Sequence, residues 1–273
     1  MEKNVTYNLK LKMQAGKKVF GMTIGPGNDP EKTVRALKDF GFDFIMMENE
    51  HSLVNKETIF EYIRASRQMD IPILMRPEES FANFRCYLDA GVNGLMLPQV
   101  NTVEEAVRAV NQAYFPPIGH RGSGIGMSPY LLDFQSRDEI PFLTLTEYIN
   151  NNTVVFPQTE SLECISSLPR ILQLEGVTGT IVGSNDLALA IGGIDAKALM
   201  SEITATDIME EKLRQIVKIC KEAGKVAGIG GFAPKGLAKW AKEGYQLLMV
   251  GHVIDRNVDD LRARIEEVKS LIS

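Results

Sequence analysis

The sequence predicts an α/β protein, with eight parallel strands closed into one TIM (β/α)8 barrel and residues 1–273 forming a single domain. Three observations carry this reading. Short apolar runs recur eight times, and they are nearly continuous rather than alternating, as strands buried on both faces require. Stretches with helical spacing and a polar face separate most of them. No shift in composition divides the chain, and 273 residues suit one barrel, which typically needs roughly 250.

Along the chain, a tract near residues 7–16 either caps the barrel bottom or leads into the first strand at 19–24. A helix follows over 29–40, with Val34, Leu37 and Phe40 on one face and Pro30 in its first turn, where a missing N–H costs nothing. Strands are expected at 42–47, 73–75 and 94–97, then a helix over 103–114 carrying Val103, Ala106, Val107 and Val110. Residues 115–137 form the one long irregular stretch, and loops of that length are uncommon and often functional. Within it, the Gly-dense tract from His120 to Gly126 follows Pro116-Pro117 and not a strand, so it reads as a loop rather than a phosphate cradle. The remaining strands are expected at 153–156, 179–182, 226–229 and 246–250, with a helix over 162–174 between the fifth and sixth. A terminal amphipathic helix over 259–271, with Leu261, Ile265, Val268 and Leu271 on one side, closes the eighth unit or packs on another subunit. The runner-up is an open doubly wound sheet. A dinucleotide fold of that kind wants G-x-G-x-x-G after its first strand, and Thr23-Ile24-Gly25-Pro26-Gly27-Asn28 does not match.

Composition excludes several classes. Three cysteines cannot form a disulfide framework, and their odd, scattered occurrence suits a reducing cytoplasm. Cys86, Cys164 and Cys220 are isolated in helical tracts and read as packing residues. A net charge of −5 argues against a dedicated nucleic-acid binder. No run approaches the ~18 apolar residues of a membrane span, and no secretory signal is visible.

In a barrel, the residues just past each strand share one mouth. Here they are Glu48-Asn49-Glu50-His51, Arg76-Pro77-Glu78, Pro98-Gln99, Pro157-Gln158-Thr159-Glu160, Gly183-Ser184-Asn185-Asp186, Gly230-Gly231-Phe232 and Gly251-His252. Glu160 and Asp186, on neighbouring strand ends, suit a hard divalent cation; alternatively each caps the helix that follows it. His51 stands beside Glu48 and Glu50, as a general acid or base would, or is simply a surface histidine. Arg76 emerges from a buried strand and needs an anionic or carbonyl partner, which could equally be Glu78. Nothing beside His252 suggests a role for it. Lys225 precedes a strand, and no strand carries a central lysine, which argues against a Schiff-base mechanism.

The sequence resembles the HpcH/HpaI aldolase family, the metal-dependent 2-keto-3-deoxy acid aldolases, nearly end to end. The resemblance runs through Phe42-Asp43-Phe44 to Glu50-His51, Met75-Arg76-Pro77, Leu88-Asp89-Ala90-Gly91 and Gly94 to Thr102. It continues through Tyr114 to Gly122, Gln158-Thr159-Glu160, Glu175 to Gly179 and Gly183 to Leu187. It implies a TIM barrel assembled as a homohexamer, a trimer of dimers that exchange C-terminal helices. It implies Glu160 and Asp186 as ligands of a divalent metal (Mg, Mn or Co) that is chelated by pyruvate or another 2-oxo acid. Arg76 would stabilise an enolate oxygen, and His51, with an acidic neighbour such as Glu48, would relay a proton at the aldehyde-side hydroxyl. Gln158 would position the keto acid, and Gly183, Ser184 and Asn185 would hold its carboxylate through helix N-terminal N–H groups. Asp89 would act across a subunit interface. The chain departs from the family at Glu48, where Asp is usual, at Ser52, where Gly or Ala is usual, and at Ser184, where Pro is usual.

The resulting expectation is a class II aldolase cleaving a 4-hydroxy-2-oxo or 2-keto-3-deoxy acid to pyruvate and an aldehyde. Two alternatives stand beside it. One is a CoA-thioester lyase of the citrate lyase branch, which would need a basic site for the CoA phosphates. The other is a non-catalytic barrel that binds a keto acid.

Overall fold

The computed structural model describes residues 5–78, 84–124, 126, 128–129, 140–199, 202–253 and 258–273. Eight parallel strands close in sequence order: β1 (Val19–Ile24), β2 (Phe44–Glu48), β3 (Ile73–Arg76), β4 (Gly94–Leu97), β5 (Val154–Thr159), β6 (Gly179–Val182), β7 (Val226–Ile229) and β8 (Leu247–Val253). All eight expected runs are strands, and β8 runs three residues past its apolar tract.

The helices sit where the amphipathic spacing and the cap residues put them. Helix α2 (Pro30–Asp39) starts at Asp29, whose carboxylate accepts the Lys32 N–H at 2.8 Å, and it buries Val34 and Leu37. The outer ring is continued by α3 (Lys56–Gln68), α4 (Phe84–Ala90) and α5 (Val103–Ala113), the last started by a Thr102/Glu105 capping box. An added helix, α6 (Phe142–Asn151), precedes β5, and α7 (Leu162–Ile171) follows it. Two helices, α8 (Ser184–Ile191) and α9 (Asp207–Glu222), lie between β6 and β7, and α10 (Pro234–Glu243) between β7 and β8. Residues 115–124 carry no helix or strand, as expected for that loop; much of 125–137 falls outside the described residues.

The barrel interior follows strict alternation. Val19, Phe44, Met46, Leu74, Met96, Val154, Phe156, Ile181, Val226, Leu247 and Met249 form one buried cluster, separate from the larger cluster under the outer helices. Helix α1 (Val5–Gln14) adds Leu9 and Met13 to the same inner cluster, so it plugs the bottom. A methyl group at Gly21 would lie 2.1 Å from the Phe44 ring, so glycine there makes room for the large inner side chain beside it.

Helix α11 (Val258–Ile272) packs on α10 and β8 of its own chain, burying Leu261, Ile265 and Val268. Lys269 Nζ donates to the Gly41 carbonyl at 2.9 Å. Among the described residues no helix is long and apolar enough to cross a membrane. Cys164 and Cys220 are buried as expected; Cys86 is exposed, because it lies on the outer face of α4.

Candidate active site

The alternation that fills the core continues past it. The inward columns of β1, β2, β3, β5 and β6 end at the mouth in polar residues or a glycine: Thr23, Glu48, Arg76, Gln158 with Glu160, and Gly183. Most of them, with His51, Ser184, Asn185 and Asp186, line one cavity of about 320 Å³. Its floor is apolar, with Met46, Met96, Ile181 and Met249.

The β2 end is a turn folded around the Glu48 carboxylate. One oxygen accepts the N–H groups of Glu50 at 2.7 Å and His51 at 3.0 Å; the other pairs with Arg76. The Ser52 hydroxyl donates to the Glu48 carbonyl at 2.6 Å and closes the turn. The expected partnership between Glu48 and the His51 ring is replaced. The longer Glu48 side chain reaches the guanidinium and the turn, while the ring Nε2 of the exposed His51 sits 3.3 Å from Glu50 Oε2.

The same Glu50 oxygen is 3.3 Å from Arg76 Nε, close enough for an ion pair but not aligned as a hydrogen bond. Arg76 Nε and Glu50 Oε2 are therefore buried polar atoms without a hydrogen-bond partner, an arrangement that calls for a reason. Burial raises the Glu50 pKa, against the opposing pull of Arg76 and His51. Arg76 does not pair with Glu78, whose carboxylate instead accepts the Tyr87 hydroxyl at 2.9 Å.

Glu160 is buried, and it does not cap α7. Ser161 does so, its hydroxyl accepting the Cys164 N–H at 3.0 Å. The Glu160 carboxylate takes the Gln99 N–H at 2.5 Å and the Gln158 amide. Gln99 presents that N–H from a left-handed backbone, φ +53°. Burial raises the Glu160 pKa, and the charge of Asp186 pushes it the same way. Gly183 makes this crowding possible: a methyl group there would lie 2.7 Å from Gln158 Nε2 and 2.8 Å from Glu160 Oε2.

Helix α8 starts at Gly183 with no side-chain cap, so its first N–H groups face the cavity without a side-chain acceptor. Ser184 ties the turn to β7, donating to the Gly230 carbonyl at 2.8 Å. Asp186 is exposed in the first turn, where a carboxylate also favours the helix dipole.

Among the described residues no cluster of three or more His, Cys, Asp or Glu could hold a metal. Glu160 and Asp186 give two carboxylates. That donor set fits a hard divalent ion whose other positions go to water and a chelating ligand.

Asp89 is not brought into the cavity. It lies on α4, where Oδ1 accepts Arg121 Nη2 at 2.5 Å, and Arg121 in turn stacks 4.8 Å over the Phe115 ring.

The sequence pattern that defines the HpcH/HpaI aldolase/citrate lyase family matches residues 25–253. The chain belongs to this family. It is 29% identical over 224 residues to the 4-hydroxy-2-oxo-heptane-1,7-dioate aldolase of Shigella sonnei, covering 81% of this chain and 79% of that protein. It is 28% identical to the hydroxypyruvate/pyruvate aldolase of Agrobacterium fabrum, with 93% and 90% covered. A crystal structure of an HpcH/HpaI aldolase from Desulfitobacterium hafniense superposes with a TM-score of 0.78, at 25% identity and 96% coverage of both chains.

Within this HpcH/HpaI barrel, sequence reasoning missed Glu50 as the carboxylate between Arg76 and His51, and the Gln99 N–H that orients Glu160. It also left Thr23 unremarked and gave His252 no role, yet both line the cavity.

Proposed function

We propose that this chain is a carbon–carbon lyase, a class II aldolase that cleaves a 4-hydroxy-2-oxo or 2-keto-3-deoxy acid to pyruvate and an aldehyde. One observation carries the reading: a guanidinium with an unfilled donor, the Asp186 carboxylate and an uncapped helix N-terminus line a single cavity, and the Glu160 carboxylate stands directly behind its lining residues Gln158 and Gly183.

Glu160 and Asp186 would hold the divalent ion, Mg²⁺, Mn²⁺ or Co²⁺. When bound, it supplies Lewis-acid polarisation of the 2-oxo group. The N–H groups of Ser184 and Asn185 receive the substrate carboxylate at the start of α8. Gln158 aligns the keto acid while it orients Glu160. Arg76, fixed by Glu48, presents its open Nε–H to the oxygen on which negative charge develops as the C–C bond breaks. The Glu48 and Glu50 carboxylates keep that guanidinium from drifting, at the cost of crowding negative charge around it. His51, at the rim and steadied by Glu50, takes the proton from the C4 hydroxyl. Asp89 belongs to the subunit interface of the expected homohexamer, where sedimentation velocity would report the assembly.

Among the described residues lining the cavity, Arg76 is the sole lysine or arginine, which disfavours a CoA thioester with its phosphates. The test is retro-aldol turnover of 4-hydroxy-2-oxo acids with Mg²⁺, Mn²⁺ or Co²⁺, before and after EDTA. Turnover is expected only with the ion. Full activity after complete metal removal would overturn the mechanism.

A further inference from the structure

The last strand does not keep step with the first. Gly21 of β1 pairs with Met249 of β8, but Met22 pairs with Gly251 and Thr23 with His252. One residue, Val250, is therefore extra, and β8 carries a β-bulge at the barrel rim. Bulges at such places re-aim the side chains that follow. Met249 belongs to the inner cluster, and Val250 and Val253 to the outer one. Gly251 faces Arg264 and Met22, both on the outer side. His252 thus takes the inward direction beside Thr23, and both line the cavity. Plain alternation from Met249 would have turned Gly251 inward and His252 out.

Their place in the ring decides what they can touch. In the closed strand order, β1 lies four strands from β5, and β8 four strands from β4. Glu160 and Gln158 at the β5 end, and Asp186 after β6, stand on the far side of the mouth. A substrate whose 2-oxo acid end is held there directs its other half to β8, β1 and the His51 rim. Gly230 and Gly231, after β7, leave the side between the two walls free of side chains.

We propose that the β8 bulge places His252 with Thr23 as the wall that reads the aldehyde half of the substrate, and that this half is a short, uncharged hydroxyaldehyde. The inference rests on the aldolase reading above. A hydroxyl and an imidazole both offer a donor and an acceptor, which matches a substrate hydroxyl group. Among the described lining residues, this wall carries no lysine or arginine. A carboxylated aldehyde would find no counter-charge among those residues, and an alkyl aldehyde would forgo the hydrogen bonds that Thr23 and His252 can offer.

The experiment is condensation with pyruvate and Mg²⁺, measuring kcat/KM for glycolaldehyde, for propanal (similar in size, without the hydroxyl) and for succinic semialdehyde. The native protein should favour glycolaldehyde over propanal by at least about tenfold, since a site built for a hydroxyl rejects the analogue lacking it. His252→Leu and Thr23→Val should each remove most of that preference by slowing glycolaldehyde, whereas His252→Gln and Thr23→Ser should retain it. An unchanged ratio in the Leu and Val variants overturns the proposal, as does a native preference for succinic semialdehyde. Should His252→Leu fail to fold, Thr23→Val, nearly equal in volume, decides alone. Deuterium exchange of the pyruvate methyl group by the native protein, which needs no aldehyde, separates the two readings. Exchange with an unaltered ratio sinks only this proposal; no exchange at saturating Mg²⁺ and Mn²⁺ sinks the aldolase reading with it.

Discussion

At the bottom of the barrel, Lys10, Lys18 and Lys225 turn their ammonium groups onto backbone carbonyls. Lys10 donates to Asn151 at 3.0 Å, Lys18 to Ala241 at 2.6 Å and Tyr245 at 2.8 Å, and Lys225 to Val177 at 2.6 Å. At the mouth, Glu48, Glu50 and Glu160 gather near one arginine, and two of the three have pKa values raised chiefly by burial. Both ends bury charge. Lys10 and Lys18 meet carbonyls at or just beyond the ends of α6 and α10, where a cation is favoured, and Lys225 meets the Val177 carbonyl just ahead of β6. The upper carboxylates crowd one another, an arrangement that a bound cation would relieve. Burial penalises charge at both ends, lowering the pKa values of the three lysines and raising those of Glu50 and Glu160, and only the upper charges have work to do in the proposed reaction.

Substitutions at the two ends should therefore separate activity from stability. Arg76→Lys keeps the charge but loses the planar fork, and kcat should fall by about 10²–10³, with the thermal midpoint nearly unchanged. Gly183→Ala should weaken metal affinity by about 10–100-fold in a calorimetric titration, because its methyl group displaces Gln158 and Glu160. Below these comes Lys18→Met, expected to cost roughly 2 kcal/mol in urea unfolding while kcat is unaltered. A loss of turnover in that variant would break the division between the two ends.

The smallest effect concerns pH. Burial lowers the pKa of Lys10 to about 8. Its folded-state value lies below its unfolded value, so the unfolded chain binds more protons between the two. The cost of charging it is fully present below about pH 8 and fades as the pH climbs towards the ordinary lysine value. Full linkage would give about 3 kcal/mol across that window; solvent screening of this partly exposed group reduces the expected rise to about 1 kcal/mol, and Lys10→Met should flatten it.

Much of this was legible in the sequence because strands buried on both faces leave continuous apolar runs. Their polar ends marked the mouth, and Glu160, Asp186, Arg76, His51, Gln158 and residues 183–185 were found from that pattern and the family resemblance together. Less legible were the features that depend on side-chain reach. The sequence puts both Glu48 and Glu50 near His51; only geometry shows that Glu48 is spent on Arg76 and the turn, leaving Glu50 for the ring. Strand β5 was read as ending at Phe156, but it runs to Thr159, because Gln158 is buried against Glu160 and hydropathy cannot register a satisfied polar group. Asp89 was found by resemblance alone, and its own chain gives it Arg121 rather than the cavity.

The extra residue in β8 has a consequence for any comparison with relatives. Beyond Met249, equal position in an alignment no longer means equal direction in space. A relative with one residue fewer there could present the same inward histidine from a regular strand, and one of equal length without the bulge would turn it outward. Mutational scans transferred between such proteins by residue number alone would probe opposite sides of the same sheet.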